Sequence, residues 1–272
     1  MKYAIVNSTI GFIKSKPNKF SENADEVLFG MNVEILEALE NDWYYIRTHY
    51  NYEGYIDGRT LFIDDNKAKE YESKKNAMVL NNFADVLDKP KASGFQIATI
   101  TRGSHIVCLK EVSENNRFVK VKLPDGRIGW TRKDFLCDLK TDYDIKDEKN
   151  LRENLMMSAL SYLGTQYRWG GKTPMGIDCS GLCSMAYMLN GILIYRDAHI
   201  KEGFPIKEIA RNELKKGDLI FFPGHVAMYL GNQRYVHSAT SNDVVAINSF
   251  DKKADNYYGY LDKADKRFGS IF

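Results

Sequence analysis

The sequence predicts a multi-domain chain of 272 residues: two small all-β barrels in its first half, then a domain in which helical and strand patterns are mixed. Three observations predict it. A strand-rich pattern occurs twice at an offset of 75 residues, a charged run separates the copies, and beyond about residue 141 helical stripes accompany an apolar hairpin.

The duplicated pattern is specific in its landmarks. Asp42-Trp43-Tyr44-Tyr45-Ile46-Arg47-Thr48 precedes Glu53-Gly54-Tyr55-Ile56, and Arg117-Phe118-Val119-Lys120-Val121-Lys122 precedes Arg127-Ile128-Gly129-Trp130. In both copies the first aromatic stands eleven positions before the glycine. Each copy alternates apolar and polar residues between turn signals such as Pro124-Asp125-Gly126, as the strands of small antiparallel barrels do. The first barrel is assigned to residues 1–63 and the second to 77–140. Between them, 64–76 is a linker whose charges mark a solvated segment or a short exposed helix. The last domain covers 141–272, and its first stripe, Leu151, Leu155, Ala159 and Leu163, reads as a helix that Gly164 terminates.

The chemistry of the chain centres on Cys179, in Trp169-Gly170-Gly171-Lys172-Thr173-Pro174-Met175-Gly176-Ile177-Asp178-Cys179-Ser180-Gly181-Leu182. Leu182, Met185, Ala186 and Leu189 recur at helical intervals, which puts Cys179 in the first turn of a helix. There the free N–H groups and the helix dipole favour a thiolate, so a depressed thiol pKa is expected. Glycines 170, 171 and 176 allow a close backbone approach. His225 opens the run Val226-Ala227-Met228-Tyr229-Leu230, His237 ends Arg234-Tyr235-Val236, and Gly231-Asn232 reads as the turn between them. Such a hairpin carries both imidazoles on paired strands, one to accept the thiol proton and the other to orient it.

Plainer readings compete with this one. A cysteine is most often a small buried hydrophobe; that reading suits Cys183, Cys108 and Cys137, which lack the glycine-rich approach. His49, His105 and His199 read as surface or hydrogen-bonded structural residues. Cys179, Cys183, His225 and His237 could instead be four metal ligands, but Cys-x3-Cys on a helix and histidines twelve apart do not match the paired knuckles of structural zinc. No metal and no cofactor is called for.

Tyr167-Arg168-Trp169-Gly170-Gly171, Asp178-Cys179-Ser180-Gly181-Leu182, Lys216-Gly217-Asp218-Leu219-Ile220-Phe221-Phe222 and His225-Val226-Ala227-Met228-Tyr229 together resemble the NlpC/P60 cysteine peptidases of bacterial peptidoglycan, over roughly residues 145–272. The resemblance implies a papain-like α+β catalytic domain that hydrolyses the amide between γ-D-glutamate and a diamino acid in murein peptides. It implies Cys179 as nucleophile, His225 as general base and acid, and His237 as the orienting residue. Tyr167 would stand near the oxyanion, with Trp169 and Ser180 lining the substrate site. The first 140 residues resemble bacterial SH3-like domains, whose general reading is a wall-peptide binding module. In three-domain relatives that recycle murein peptides, the first barrel closes one end of the cleft. Tyr195-Arg196-Asp197-Ala198 resembles their segment that contacts the amine of an N-terminal L-alanine; many carry serine where this chain has Ala198. Glu22 and Tyr52 would be the acidic and phenolic contacts from the first barrel, against the plainer reading of a loop acid and a barrel-face aromatic. Asp178 would either join them or cap the nucleophile's helix.

The resemblance therefore predicts a peptidase releasing L-Ala-γ-D-Glu from murein peptides with a free N-terminal L-alanine. A secreted hydrolase of intact peptidoglycan and a non-catalytic wall-binding protein are the alternatives. Composition excludes other classes. The net charge of +2 comes from 38 basic and 36 acidic residues without a basic stripe, so nucleic acid is not expected as a partner. No segment approaches a membrane span, and Met1-Lys2-Tyr3-Ala4-Ile5-Val6-Asn7 has no apolar core of signal-peptide length. The expectation is a cytoplasmic protein, or a secreted one if a leader precedes this sequence.

Overall fold

The computed structural model describes residues 2–272. The chain divides into two compact units, Met1–Leu139 and Lys140–Phe272. The first unit begins with β1 (Tyr3–Val6), β2 (Ile10–Lys14), β3 (Asn23–Leu28), β4 (Asn32–Ala38), β5 (Trp43–Thr48), β6 (Glu53–Asp57) and β7 (Leu61–Ile63). After α1 (Asp65–Lys74) come β8 (Ala77–Val79), β9 (Phe83–Leu87), β10 (Gln96–Thr101), β11 (His105–Val112), β12 (Phe118–Lys122), β13 (Ile128–Arg132) and β14 (Leu136–Asp138).

These strands form two seven-stranded sheets with corresponding orders, β3-β2-β6-β5-β4-β1-β7 and β10-β9-β13-β12-β11-β8-β14. The repeated glycines have a common physical reason. A Cβ on Gly54 in β6 would collide with Ile13 of β2, and one on Gly129 in β13 would meet Val86 of β9 at 2.6 Å. At both places one strand crosses another too closely for a side chain.

The segment between the sheets is more than a solvated linker. α1 starts at Asp64, whose carboxylate accepts the N–H groups of Asn66 and Lys67, and it buries Ala68 and Tyr71 against Ile5 and Val107. Phe29, in the turn that follows β3, packs in the core of the second sheet, beside Val79, Ile106 and Val121.

The second unit contains α2 (Glu148–Leu160), β15 (Lys172–Thr173), β16 (Gly176–Ile177), α3 (Cys179–Met188), β17 (Lys207–Ile209), β18 (Leu219–Phe222), β19 (His225–Gly231), β20 (Arg234–Ser238), β21 (Val245–Ser249), α4 (Gly259–Lys263) and β22 (Arg267–Ser270). Its main sheet runs β17-β22-β18-β19-β20-β21, entirely antiparallel. α2 buries Leu151, Leu155 and Ala159 as the stripe predicts, but it ends at Leu160, and Leu163 lies exposed beyond it. α3 is buried on every side, packed against α2, β19 and β20. A helix so enclosed has little freedom to move its first turn.

Candidate active site

Asp178 starts α3: its Oδ1 accepts the Gly181 N–H at 2.6 Å. The same carboxylate accepts the Gly170 N–H at 2.8 Å and two N–H groups of Arg196, each at 3.0 Å. Arg196, 2% exposed, also donates to Ser180 Oγ at 2.7 Å. A buried guanidinium and a buried carboxylate joined in a fork offset each other's desolvation. The expectation that Asp178 offers its carboxylate to a substrate ammonium is therefore corrected: both oxygens are filled by the cap, by the glycine loop and by Arg196. The glycine loop itself lies against the helix, since a Cβ on Gly181 would overlap the Gly171 carbonyl.

This arrangement holds Cys179 in the first turn of α3, buried beside the backbone N–H of Val226. The expected depression of its pKa is overturned. Burial, the largest cause, pushes the thiol up to about 11, and the charge of Asp178 adds to it; the Val226 and Ser180 N–H groups and Arg196 pull the other way. The helix terminus favours an anion only modestly, whereas removing a thiolate from water costs far more. Cys183, 1% exposed and one turn on, is raised well above its ordinary value by the same burial.

The imidazoles come together through sheet register. Met228 of β19 pairs with Val236 of β20, so continuing the ladder sets Ala227 opposite His237 and puts His225 on the same face, diagonal to it. The turn falls one residue later than expected, at Asn232 and Gln233, both with positive φ, after a bulge at Gly231. His225 Nε2 lies 2.9 Å from His237 Nδ1. Burial, then the neighbouring His237, lowers His225 to about 3, and burial also lowers His237. The resting site thus holds a thiol and two neutral imidazoles at neutral pH.

β21 continues the diagonal. Asn248 Oδ1 is 2.9 Å from His237 Nε2, and Asn242 Nδ2 is 2.8 Å from the same oxygen. Sequence reasoning passed over Asn248 and quoted Arg196 only within Tyr195-Arg196-Asp197-Ala198, without a role of its own. The signals were an amide directly after the apolar run Val245-Ala246-Ile247 and a basic residue shortly after Ile192-Leu193-Ile194.

Tyr167, bridged to Ile177, is half-buried; its hydroxyl is raised to about 12 by burial first and then by the nearby Cys179 and Asp178. Ser180 and Asp197 line one cavity with Tyr195, His199, Lys201 and Val226. Trp169 is 60% exposed at the rim of the glycine loop. Glu22 is exposed in the loop before β3 and Tyr52 half-buried just before β6; both belong to the N-terminal unit. Among the described residues, no group of three or more His, Cys, Asp or Glu side chains is placed to hold a metal.

A buried cysteine at a helix start, beside the backbone N–H of the residue that follows His225, together with an imidazole at hydrogen-bond distance from a second imidazole on an antiparallel sheet, defines the class: a cysteine hydrolase. The chain belongs to the NlpC/P60 family of cysteine peptidases. The model of that family matches residues 164–260, and that of the bacterial SH3 domain matches 9–62. The dipeptidyl-peptidase 6 of Lysinibacillus sphaericus is 44% identical over 270 residues, covering 99% of both chains. A gamma-D-glutamyl-L-lysine dipeptidyl-peptidase of Bacillus cereus is 27% identical over 243 residues, 82% of this chain and 69% of that protein. The crystal structure of an NlpC/P60 family protein from Bacillus cereus shares the fold with a TM-score of 0.78 at 20% identity, covering 97% of this chain and 98% of that one.

Proposed function

We propose that this peptidase hydrolyses the γ-D-glutamyl–diamino acid amide of murein peptides with a free N-terminal L-alanine, releasing L-Ala-γ-D-Glu for peptide recycling. The observation that carries the reading is the full-length similarity to a dipeptidyl-peptidase, since an enzyme that removes two residues from an N-terminus must recognise the amine. The name of the Bacillus cereus relative supports the γ-D-glutamyl bond. In this reading residues 77–140 form a second SH3-like barrel, and the C-terminal unit is papain-like.

Cys179 is the nucleophile. Its proton passes to His225 as sulfur attacks the carbonyl, and His225 returns it to the departing amine; water then hydrolyses the thioester with His225 as base. His237 stabilises the transient imidazolium. Tyr167 stands by the oxyanion. Asp197, which lines a cavity with Ser180, supplies the carboxylate for the substrate ammonium, while Trp169 flanks the peptide. A catalytic thiol must stay reduced, which supports a cytoplasmic site of action.

Mass spectrometry of products from murein tri- and tetrapeptides, with the alanine free or acetylated, tests this. The free peptides release L-Ala-γ-D-Glu. Acetylation lowers the rate by at least about a hundredfold, because a desolvated carboxylate losing its cation costs roughly 2–5 kcal/mol. Cys179→Ala abolishes turnover. Equal cleavage of glycan-linked peptidoglycan and the free tripeptide sinks the recycling role and favours the wall hydrolase.

A further inference from the structure

The roles of His225 and His237 proposed above require each ring to carry its proton on a particular nitrogen, and on that reading we infer that Asn248 is a positioning residue that fixes both tautomers.

The carboxamide of Asn248 has only one chemically consistent orientation. Its Nδ2 lies 3.0 Å from the backbone carbonyl of Asn256, a group that can only accept. Its oxygen therefore faces the other way, 2.9 Å from His237 Nε2. A carbonyl oxygen cannot donate, so His237 Nε2 carries the hydrogen. Asn242 follows from this: were its amide reversed, two carbonyl oxygens would meet at 2.8 Å, so its Nδ2 donates to Asn248 Oδ1. The 3.2 Å approach of that Nδ2 to His237 Nε2 is then donor against donor and is not a hydrogen bond.

The consequence runs toward the sulfur. A neutral imidazole has one N–H, so His237 Nδ1 holds a lone pair and accepts from His225 Nε2–H at 2.9 Å. His225 Nδ1 is left with the lone pair that takes the proton of Cys179. With the opposite tautomers His225 Nδ1 would carry a hydrogen, and the thiol would face a donor in place of a base. The direction of the relay is thus set from beyond β21, two strands from β19, by a backbone carbonyl, through an amide that never titrates.

Long-range 1H–15N correlation spectra of 15N-histidine-labelled protein read this directly. With five histidines in the chain, assignment by single replacement is practical. At neutral pH, His225 and His237 both give the Nε2–H pattern in the unaltered protein, and this measurement needs neither a variant nor turnover. Asn248→Ala gives mixed tautomers at His237 and lowers kcat about tenfold to a hundredfold, with KM within about twofold. Asn248→Asp keeps an acceptor facing Nε2 and so keeps the tautomer; its charge raises the pKa of His237 and moves the acid limb of kcat/KM to higher pH. An Nδ1–H pattern for His237 in the unaltered protein overturns the inference, as does an Asn248→Ala protein with unchanged tautomers and unchanged kcat. Absence of murein-peptide hydrolysis alongside the expected spectra rejects only the substrate reading.

Discussion

The molecule contains two pairs of neighbouring histidines, one in each unit. In the C-terminal unit the rings of His225 and His237 lie 5.1 Å apart at 78°; in the N-terminal unit those of His49 and His105 lie 5.9 Å apart at 53°. Burial is the first cause of a lowered pKa in His225, His237 and His105 alike. What differs is direction. His225 and His237 face each other at hydrogen-bond distance and continue into Asn248, whereas the buried Nδ1 of His105 has no hydrogen-bond partner among the described residues. Of the two readings of His105, surface or hydrogen-bonded structural residue, the surface one does not hold, since the residue is buried; its ring is packed near the buried Lys75, whose charge lowers its pKa further. Burial keeps an imidazole neutral, and only a chain of oriented partners gives that neutrality a chemical direction.

The largest test of this contrast is activity. His225→Ala and His237→Ala each lower kcat by several orders of magnitude, and the double replacement loses little more than the worse single one, as for groups acting as a unit. His105→Leu leaves kcat within about twofold. Steady-state assays on one murein peptide decide it; strictly multiplicative losses at 225 and 237 would separate the two rings.

A second test concerns the oriented ion pair beneath the site. Arg196→Ala strands the Asp178 carboxylate in the interior, next to the helix it caps. Chemical denaturation should show a loss of about 3–5 kcal/mol, the cost of an unpaired buried charge. A loss under about 1 kcal/mol would mean that Asp178 finds water, and the rigid start of α3 would need another explanation.

The smallest effect is on acid stability, where the two regions should behave alike. All three imidazoles have folded pKa values below the unfolded value near 6.5, so below that pH the unfolded chain binds protons that the folded chain does not. Stability is complete above about pH 6.5 and declines as pH falls, for His225 down toward its folded value of about 3. Measured between pH 6.5 and 5, above the carboxylate range, His105→Leu and His237→Gln should each flatten the slope, by up to about 1.4 kcal/mol per pH unit. Removing the unpartnered Nδ1 of His105 should also be neutral, or stabilising by about 1 kcal/mol, at pH 7.5. An unchanged slope in His105→Leu would show that its ring is protonated in the folded protein.

Much of this was legible in the sequence, because the signals were local or repeated. The offset between Trp43 and Phe118 marks a duplication, and the two seven-stranded sheets have matching orders. Helical spacing from Leu182 to Leu189 puts Cys179 at a helix start, and the alternation around Gly231 makes the hairpin that carries His225 and His237. Turns, caps and periodicity depend on residues a few positions apart, which a linear reading sees.

Tertiary structure alone decided the rest. The sign of the Cys179 shift depends on how deeply α3 is buried by α2, β19 and β20, since a helix terminus by itself would lower the pKa. Asp178 became a cap and ion-pair partner because Arg196, eighteen residues on, folds back onto it. Asn248 joined the imidazoles because strand register set β21 beside β20, a pairing that no local pattern of amides encodes. Desolvation and hydrogen-bond direction are properties of the assembled surroundings. The sequence supplies the groups, and the packing fixes which of them are charged and which way their protons point.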